Sequence, residues 1–223
     1  MTRFSFRTVG FDLDGTLLDT SGDLAAAANH ALAGLGRPAL SVAEVIPLIG
    51  GGGRHMLAQA VAKTGAVDDA TLDAAYARLL AFYEAHIADH TRPYPHVPET
   101  LAALRMQGVT LAVVTNKQEG LSRAVLGRLG LLDLFAAIIG GDTLGPGRGK
   151  PRPDMLLAMV ERCGGPAAFV GDSRYDVEAA QAAGLPVVAC AYGYAQGPIA
   201  ALGADAVIDG FDQVIPALAE LDR

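Results

Sequence analysis

The sequence predicts an α/β fold: a doubly wound, Rossmann-like parallel-sheet core with a small all-helical cap inserted after the first strand. Two observations lead there. Short apolar runs at 9–13, 111–115, 137–140, 168–171, 187–191 and 206–208 have the length and character of buried parallel strands, and helical spacings separate most of them. The stretch from 21 to 90 breaks this alternation, because it holds helical stripes and no convincing strand.

The first run ends in Asp12-Leu13-Asp14-Gly15-Thr16. On a strand, alternate residues share a face, so Asp12 and Asp14 point one way and Leu13 the other. Two carboxylates so close repel each other unless a cation or a shared proton compensates. Gly15 allows a sharp turn after them. Residues 24–35 and 55–63 then read as helices, and Leu72, Tyr76, Leu79, Leu80, Tyr83 and Ile87 form an apolar stripe at helical spacing. The Pro-rich segment 93–98 marks the return to the sheet. The expected division is therefore a core of 1–18 and 91–223 and a cap of 19–90.

Past the hinge, the run 111–115 ends in Thr115-Asn116-Lys117, whose hydroxyl and amide suit phosphate oxygens. A helix carrying Leu121, Val125, Leu126 and Leu129 follows. After the run 137–140, a Gly-rich loop delivers Lys150, a charge able to offset carboxylates and phosphate together. Leu156, Leu157 and Val160 mark the next helix. The run 168–171 then releases Asp172, with Asp176 four residues on and on the same face of a helix at 175–183. In doubly wound folds ligands sit at the carboxyl ends of strands, where all these polar groups fall. Each has a bland alternative as a turn, a helix cap or an exposed loop residue. Their joint occurrence in order at strand ends is what argues for a site.

Composition narrows the class. The chain has 223 residues, is 51% hydrophobic with a mean hydropathy of +0.31, and carries a net charge of -7. It has no basic cluster of the kind that binds nucleic acid. No apolar stretch is long enough to span a membrane, and no signal peptide is recognisable, so a cytoplasmic protein is expected, as a monomer or homodimer. Cys163 and Cys190 are far apart, outside any CxxC pattern, and are expected to be reduced. His86 and His90 stand at i,i+4 without the glutamate of a zinc-protease motif. The loop before Lys150 lacks Walker spacing, since 144 is Leu and 151 is Pro.

The series Asp12-Leu-Asp-Gly-Thr-Leu-Leu-Asp19, Val114-Thr-Asn-Lys117, Lys150-Pro151 and Gly171-Asp-Ser-Arg-Tyr-Asp176 closely resembles the haloacid dehalogenase-like superfamily over essentially the whole chain. Within it, Ile49-Gly-Gly-Gly-Gly53, Gly140-Gly-Asp142 and Tyr192-Gly-Tyr194 look most like the phosphoglycolate phosphatases. The resemblance implies a Mg2+-dependent phosphomonoester hydrolase acting on a small phosphorylated metabolite, with Asp12 as the nucleophile that forms an aspartyl-phosphate. It implies Asp14 as general acid and base. Thr115, the Asn116 backbone and Lys150 would hold the phosphoryl oxygens. Asp12, Asp172 and the Asp14 backbone carbonyl would hold Mg2+, with Asp176 as a further ligand or one step behind. An acid at Asp14 favours phosphate chemistry over dehalogenation. Gly50, Gly51, Arg54 and Thr16 are the expected substrate contacts, with the glycine loop and Arg54 meeting a substrate carboxylate. Alternatives are a phosphatase or pyrophosphatase for another metabolite, a sugar-phosphate mutase, or a phospho-acceptor signalling domain without turnover.

Overall fold

The computed structural model describes residues 5–195 and 197–222, so the first four residues of the expected core, Gln196 and Arg223 lie outside the described part. In chain order the elements are β1 (Thr8–Phe11), β2 (Leu18–Asp19), α1 (Ser21–Gly34), α2 (Val42–Val45), α3 (Gly53–Ala62), α4 (Asp69–Ala85), β3 (Arg92–Pro93), α5 (Val97–Met106) and β4 (Thr110–Val114). They continue as α6 (Glu119–Arg128), β5 (Ala137–Ile139), α7 (Asp154–Cys163), β6 (Ala167–Gly171), α8 (Arg174–Ala183), β7 (Val187–Cys190), β8 (Ala206–Ile208) and α9 (Val214–Leu221).

The main sheet has the order β5-β4-β1-β6-β7-β8, with every pairing parallel. Strand β1 lies between β4 and β6, so the chain winds outward in both directions from it. Such a switch point leaves a crevice beyond the carboxyl ends of the flanking strands. Side chains alternate between two apolar layers, as a two-residue period requires. Val9, Phe11, Leu111, Val113, Ala168 and Val170 enter one core. Ala112, Val114, Ala167 and Phe169 enter the other with Met155 and Met159 of α7. Gly10 lets α7 pack close on β1, since a Cβ there would strike Met159.

Helices α1, α3 and α4 share a third core, including Leu32, Leu57, Leu79 and Tyr83, and α1 packs chiefly on α4. The apolar stripe of α4 continues the expected helical period, but the helix stops before Ile87. Where the sequence shows no strand signal, β2 and β3 pair antiparallel through Leu18↔Pro93 and Asp19↔Arg92. This ribbon ties the chain leaving β1 to the chain returning from the helices. Among the described residues, no helix is long and apolar enough to cross a membrane. Cys163 and Cys190 are both free thiols.

Candidate active site

The strand ladder of β1 ends at Phe11, and the backbone turns at once. Asp12 N–H still donates to Val170 O at 2.9 Å, while the Leu13 carbonyl accepts from both Leu17 and Leu18 at 3.0 Å. Gly15 sits at φ +89° in this turn, and a Cβ there would collide with the Asp172 carboxylate. The turn therefore requires glycine for its conformation and for the space it leaves.

The two acids of this corner are not a pair sharing one compensating charge, because each has its own lysine. Lys150 Nζ lies 2.9 Å from Asp12 Oδ1 and 2.5 Å from Asp176 Oδ1, and it also donates to Val114 O at 2.9 Å. Lys117 Nζ lies 3.1 Å from both oxygens of Asp14 and 4.4 Å from the centre of the Tyr83 ring. Lys117 is the partner that sequence reasoning passed over; its place two residues after Thr115 was the available signal. Asp172 accepts from Thr16 Oγ1 at 2.9 Å and from the backbone of Tyr194 at 2.6 Å. Asp176 Oδ2 accepts from the Ser173 hydroxyl and from the Ser173 and Asp172 backbones, closing a capping box at the start of α8.

Burial sets the electrostatics. It raises Asp12 to about 6, against the opposing pull of Lys150, and nearby Asp176 adds to the rise. Burial also raises Asp172 well above the carboxylate range, with Asp176 and Asp12 pushing the same way. For Lys150, burial works against the charged form, but Asp12 and Asp176 outweigh it and hold the ammonium above its ordinary range. Lys117 behaves likewise, with Asp14 the main counterweight to burial. An acid cluster that resists ionising in its own fold is one that gains from an added cation.

Asp12, Asp172 and Asp176 each offer a ligand oxygen, and these lie within 4.8 Å of one another. Asp12 Oδ1 is buried and, although at ion-pair distance from Lys150, has no hydrogen bond of acceptable geometry. Three hard oxygen donors with one left unsatisfied fit a small divalent cation.

A cleft partly open to solvent lies between this corner and the helical layer. Asp12, Asp14, Thr115, Asn116 and Lys117 form one wall, and Gly50, Gly52, Met56, Leu79 and Tyr83 are among the residues of the other. Gly51 is nearby, against Asn116 and Lys150. Three expected contacts are placed differently. Arg54 turns away from the cleft, with Nε 2.7 Å from Asp73 and Nη2 3.2 Å from Asp69 on α4. Arg54 is the second residue of α3, directly after the glycine loop, but its side chain leaves the helix toward α4, so adjacency in sequence did not place the guanidinium inside. Thr16 is fully buried and serves Asp172 rather than the cleft. The Asn116 side chain is engaged in protein contacts, donating to Gly50 O and Lys150 O and accepting from Lys150 N.

Residues 9–190 match the model of the haloacid dehalogenase-like hydrolase family. The chain belongs to that family. The hydrolase is 40% identical to a phosphoglycolate phosphatase of Agrobacterium fabrum over 94% of its own length and 91% of the relative's. It is 41% identical to one of Caulobacter vibrioides, over 92% and 87%. A crystal structure from Haemophilus somnus, described as a predicted phosphoglycolate phosphatase, superposes with a TM-score of 0.88 at 33% identity, covering 95% of the hydrolase and 97% of that chain. The hydrolase is thus a phosphatase of this family, acting on a small phosphorylated compound.

Proposed function

We propose that the hydrolase cleaves 2-phosphoglycolate to glycolate and inorganic phosphate, with the phosphoryl group carried transiently on Asp12. The observation that carries this reading is the separate pairing of Asp12 with Lys150 and Asp14 with Lys117 on one wall of the cleft. Two carboxylates in distinct charge environments suit two distinct roles. The substrate itself is argued from the name shared by the relatives.

In this reading, residues 19–90 form the cap and 1–18 with 91–223 the core. An Asp12 oxygen attacks phosphorus while the ester bond breaks, and Asp14 delivers a proton to the departing glycolate oxygen. Asp14 then takes a proton from water. That water attacks phosphorus and releases phosphate, returning Asp12 to its starting state. Thr115 and Lys150 hold phosphoryl oxygens as their charge redistributes. Asp12, Asp172 and the Asp14 backbone carbonyl would hold Mg2+, with Asp176 as a further ligand or orienting Lys150. The ion supplies the positive charge that lets a phosphate dianion approach clustered carboxylates. Thr16, Gly15 and Tyr194 act behind it by holding Asp172 in place.

The test is phosphate release by the purified protein with Mg2+ from 2-phosphoglycolate, hexose phosphates and pyrophosphate. The highest kcat/KM is expected for 2-phosphoglycolate, and a larger value for a hexose phosphate overturns the substrate. Asp12→Asn is expected to be inactive, and full activity in that variant overturns the mechanism.

A further inference from the structure

The helical wall of the cleft offers few polar groups. It consists largely of Leu24, Ile49, Met56, Leu79 and Leu80 beside the glycine loop. Arg54 faces outward, so the cation first expected to meet a substrate carboxylate is absent from the cleft. Among the described residues lining it, Lys117 is the one cation. Tyr83, on the same lining, is 1% exposed, and its hydroxyl is buried without a hydrogen-bond partner. Lys117 Nζ is its close neighbour, but the ammonium sits over the ring, 4.4 Å from its centre, where it makes no well-directed hydrogen bond with the hydroxyl. A buried hydroxyl left unpaired is costly, and such exceptions call for a cause. Burial raises Tyr83 above the usual tyrosine range, so the hydroxyl stays protonated and available as a donor.

We propose that Lys117 and Tyr83 together read an anionic group attached next to the leaving oxygen of the substrate. The inference rests on the reading above, in which Asp14 protonates that oxygen. Lys117 Nζ touches both Asp14 oxygens at 3.1 Å, so an atom bonded to Asp14 lies beside the ammonium. In a 2-phospho carboxylate, the carboxylate carbon is two covalent bonds from the leaving oxygen. Its oxygens therefore fall where the third Lys117 N–H and the Tyr83 O–H can both donate. A phosphate ester with an uncharged alkyl chain leaves both donors without an acceptor, and the desolvated pair then disfavours it. Discrimination of this kind comes from unpaired polar groups as much as from attraction.

The experiment compares 2-phosphoglycolate with ethyl phosphate, which has the same chain length and no carboxylate. Tyr83→Phe and Lys117→Met are each expected to lower kcat/KM for 2-phosphoglycolate by about tenfold or more, Tyr83→Phe chiefly through KM, as loss of a bond to a charged group implies, and Lys117→Met through kcat as well, since Asp14 loses its partner. The Tyr83→Phe value for ethyl phosphate should not fall below that of the wild type, because the unpaired hydroxyl that disfavours this substrate is gone. Inhibition by glycolate should weaken in both variants, while inhibition by inorganic phosphate should not. Lys117→Met leaves Asp14 without its partner. Tyr83→Phe, which removes one oxygen and keeps the ring, therefore carries the test if the lysine variant fails to fold. Equal losses on both substrates overturn the proposal and leave the catalytic reading standing. A wild type that does not prefer 2-phosphoglycolate to ethyl phosphate overturns both.

Discussion

The side-chain amide of Asn116 donates to the backbone carbonyl of Gly50 at 2.9 Å. The same side chain exchanges bonds of 3.0 and 2.8 Å with the backbone of Lys150. One residue at the end of β4 thus joins the glycine loop of the helical layer to the loop that delivers the buried lysine.

Asn116→Ala removes three hydrogen bonds that are at least partly buried. At about 1 kcal/mol each, the expected cost is ~3 kcal/mol, which for a chain of this size corresponds to a melting-point drop of about 6–12 °C. Activity should fall as well, because Lys150 loses its backbone anchor. A variant with unchanged melting temperature and unchanged KM counts against this linking role.

Lys150 is the charge closest to both Asp12 and Asp176. Lys150→Met leaves buried carboxylates uncompensated, a change that costs about 3–5 kcal/mol when one partner of a buried pair is removed. Chemical denaturation without metal should show this loss, and phosphate release should fall by about a hundredfold or more. Mg2+ should recover part of the stability without recovering the rate. Recovery of the rate by metal alone contradicts the assignment of Lys150 to the phosphoryl oxygens.

The acid cluster also predicts a pH-dependent response to metal. Asp12, raised to about 6, and Asp172, raised well above the ordinary carboxylate range, hold protons more tightly in the folded than in the unfolded chain. Their contribution to metal-free stability is fully present below the unfolded value near 3.8, and is lost as pH rises through about 6. Mg2+ replaces those protons. Its stabilisation should therefore be large at pH 7.5 and small at pH 5, and it should vanish in Asp172→Asn. Thermal shifts at the two pH values, with and without Mg2+, provide the measurement. A larger metal effect at the lower pH contradicts the placement of the ion among these carboxylates.

Tyr194 links the base of the helical layer to Asp172. Its hydroxyl accepts from the Thr20 and Ser21 backbones at 2.7 and 2.9 Å and donates to Asp19 at 2.7 Å, while its own N–H holds Asp172. Tyr194→Phe keeps the backbone bond and orphans the buried Thr20 N–H, while Ser21 N–H retains its bond to Asp19 Oδ1 at 3.1 Å. A destabilisation of about 1–3 kcal/mol is expected, with an altered KM and little change in metal affinity. A large loss of Mg2+ affinity instead indicates that the ring itself positions Asp172.

The strand runs were legible because burial on both faces leaves an uninterrupted apolar signal. Only their ends shifted. Leu13 belongs to an apolar run, yet its carbonyl is committed to the turn that follows β1. The β2–β3 ribbon was not legible, since each strand has two residues and its partner lies on the far side of the helical insertion. Two residues carry no period. Lys117 could have been noticed beside Thr115, but its choice of Asp14 over Asp12 depends on where the two strand ends meet. Tyr83 read as one more apolar position in a helical stripe, and its packing bears that out while leaving its hydroxyl unpaired.

By itself the sequence determined the alternation of strand and helix, the helical insertion after the first strand, and the order of polar groups at strand ends. These follow from local periodicity and chain order. Tertiary structure alone decided which lysine meets which carboxylate, that Arg54 pairs with Asp69 and Asp73 outside the cleft, and that Thr16 and Tyr194 serve Asp172. Charge pairing depends on distances of a few ångströms between segments remote in sequence, and only the packing of the sheet and the helices brings those segments together.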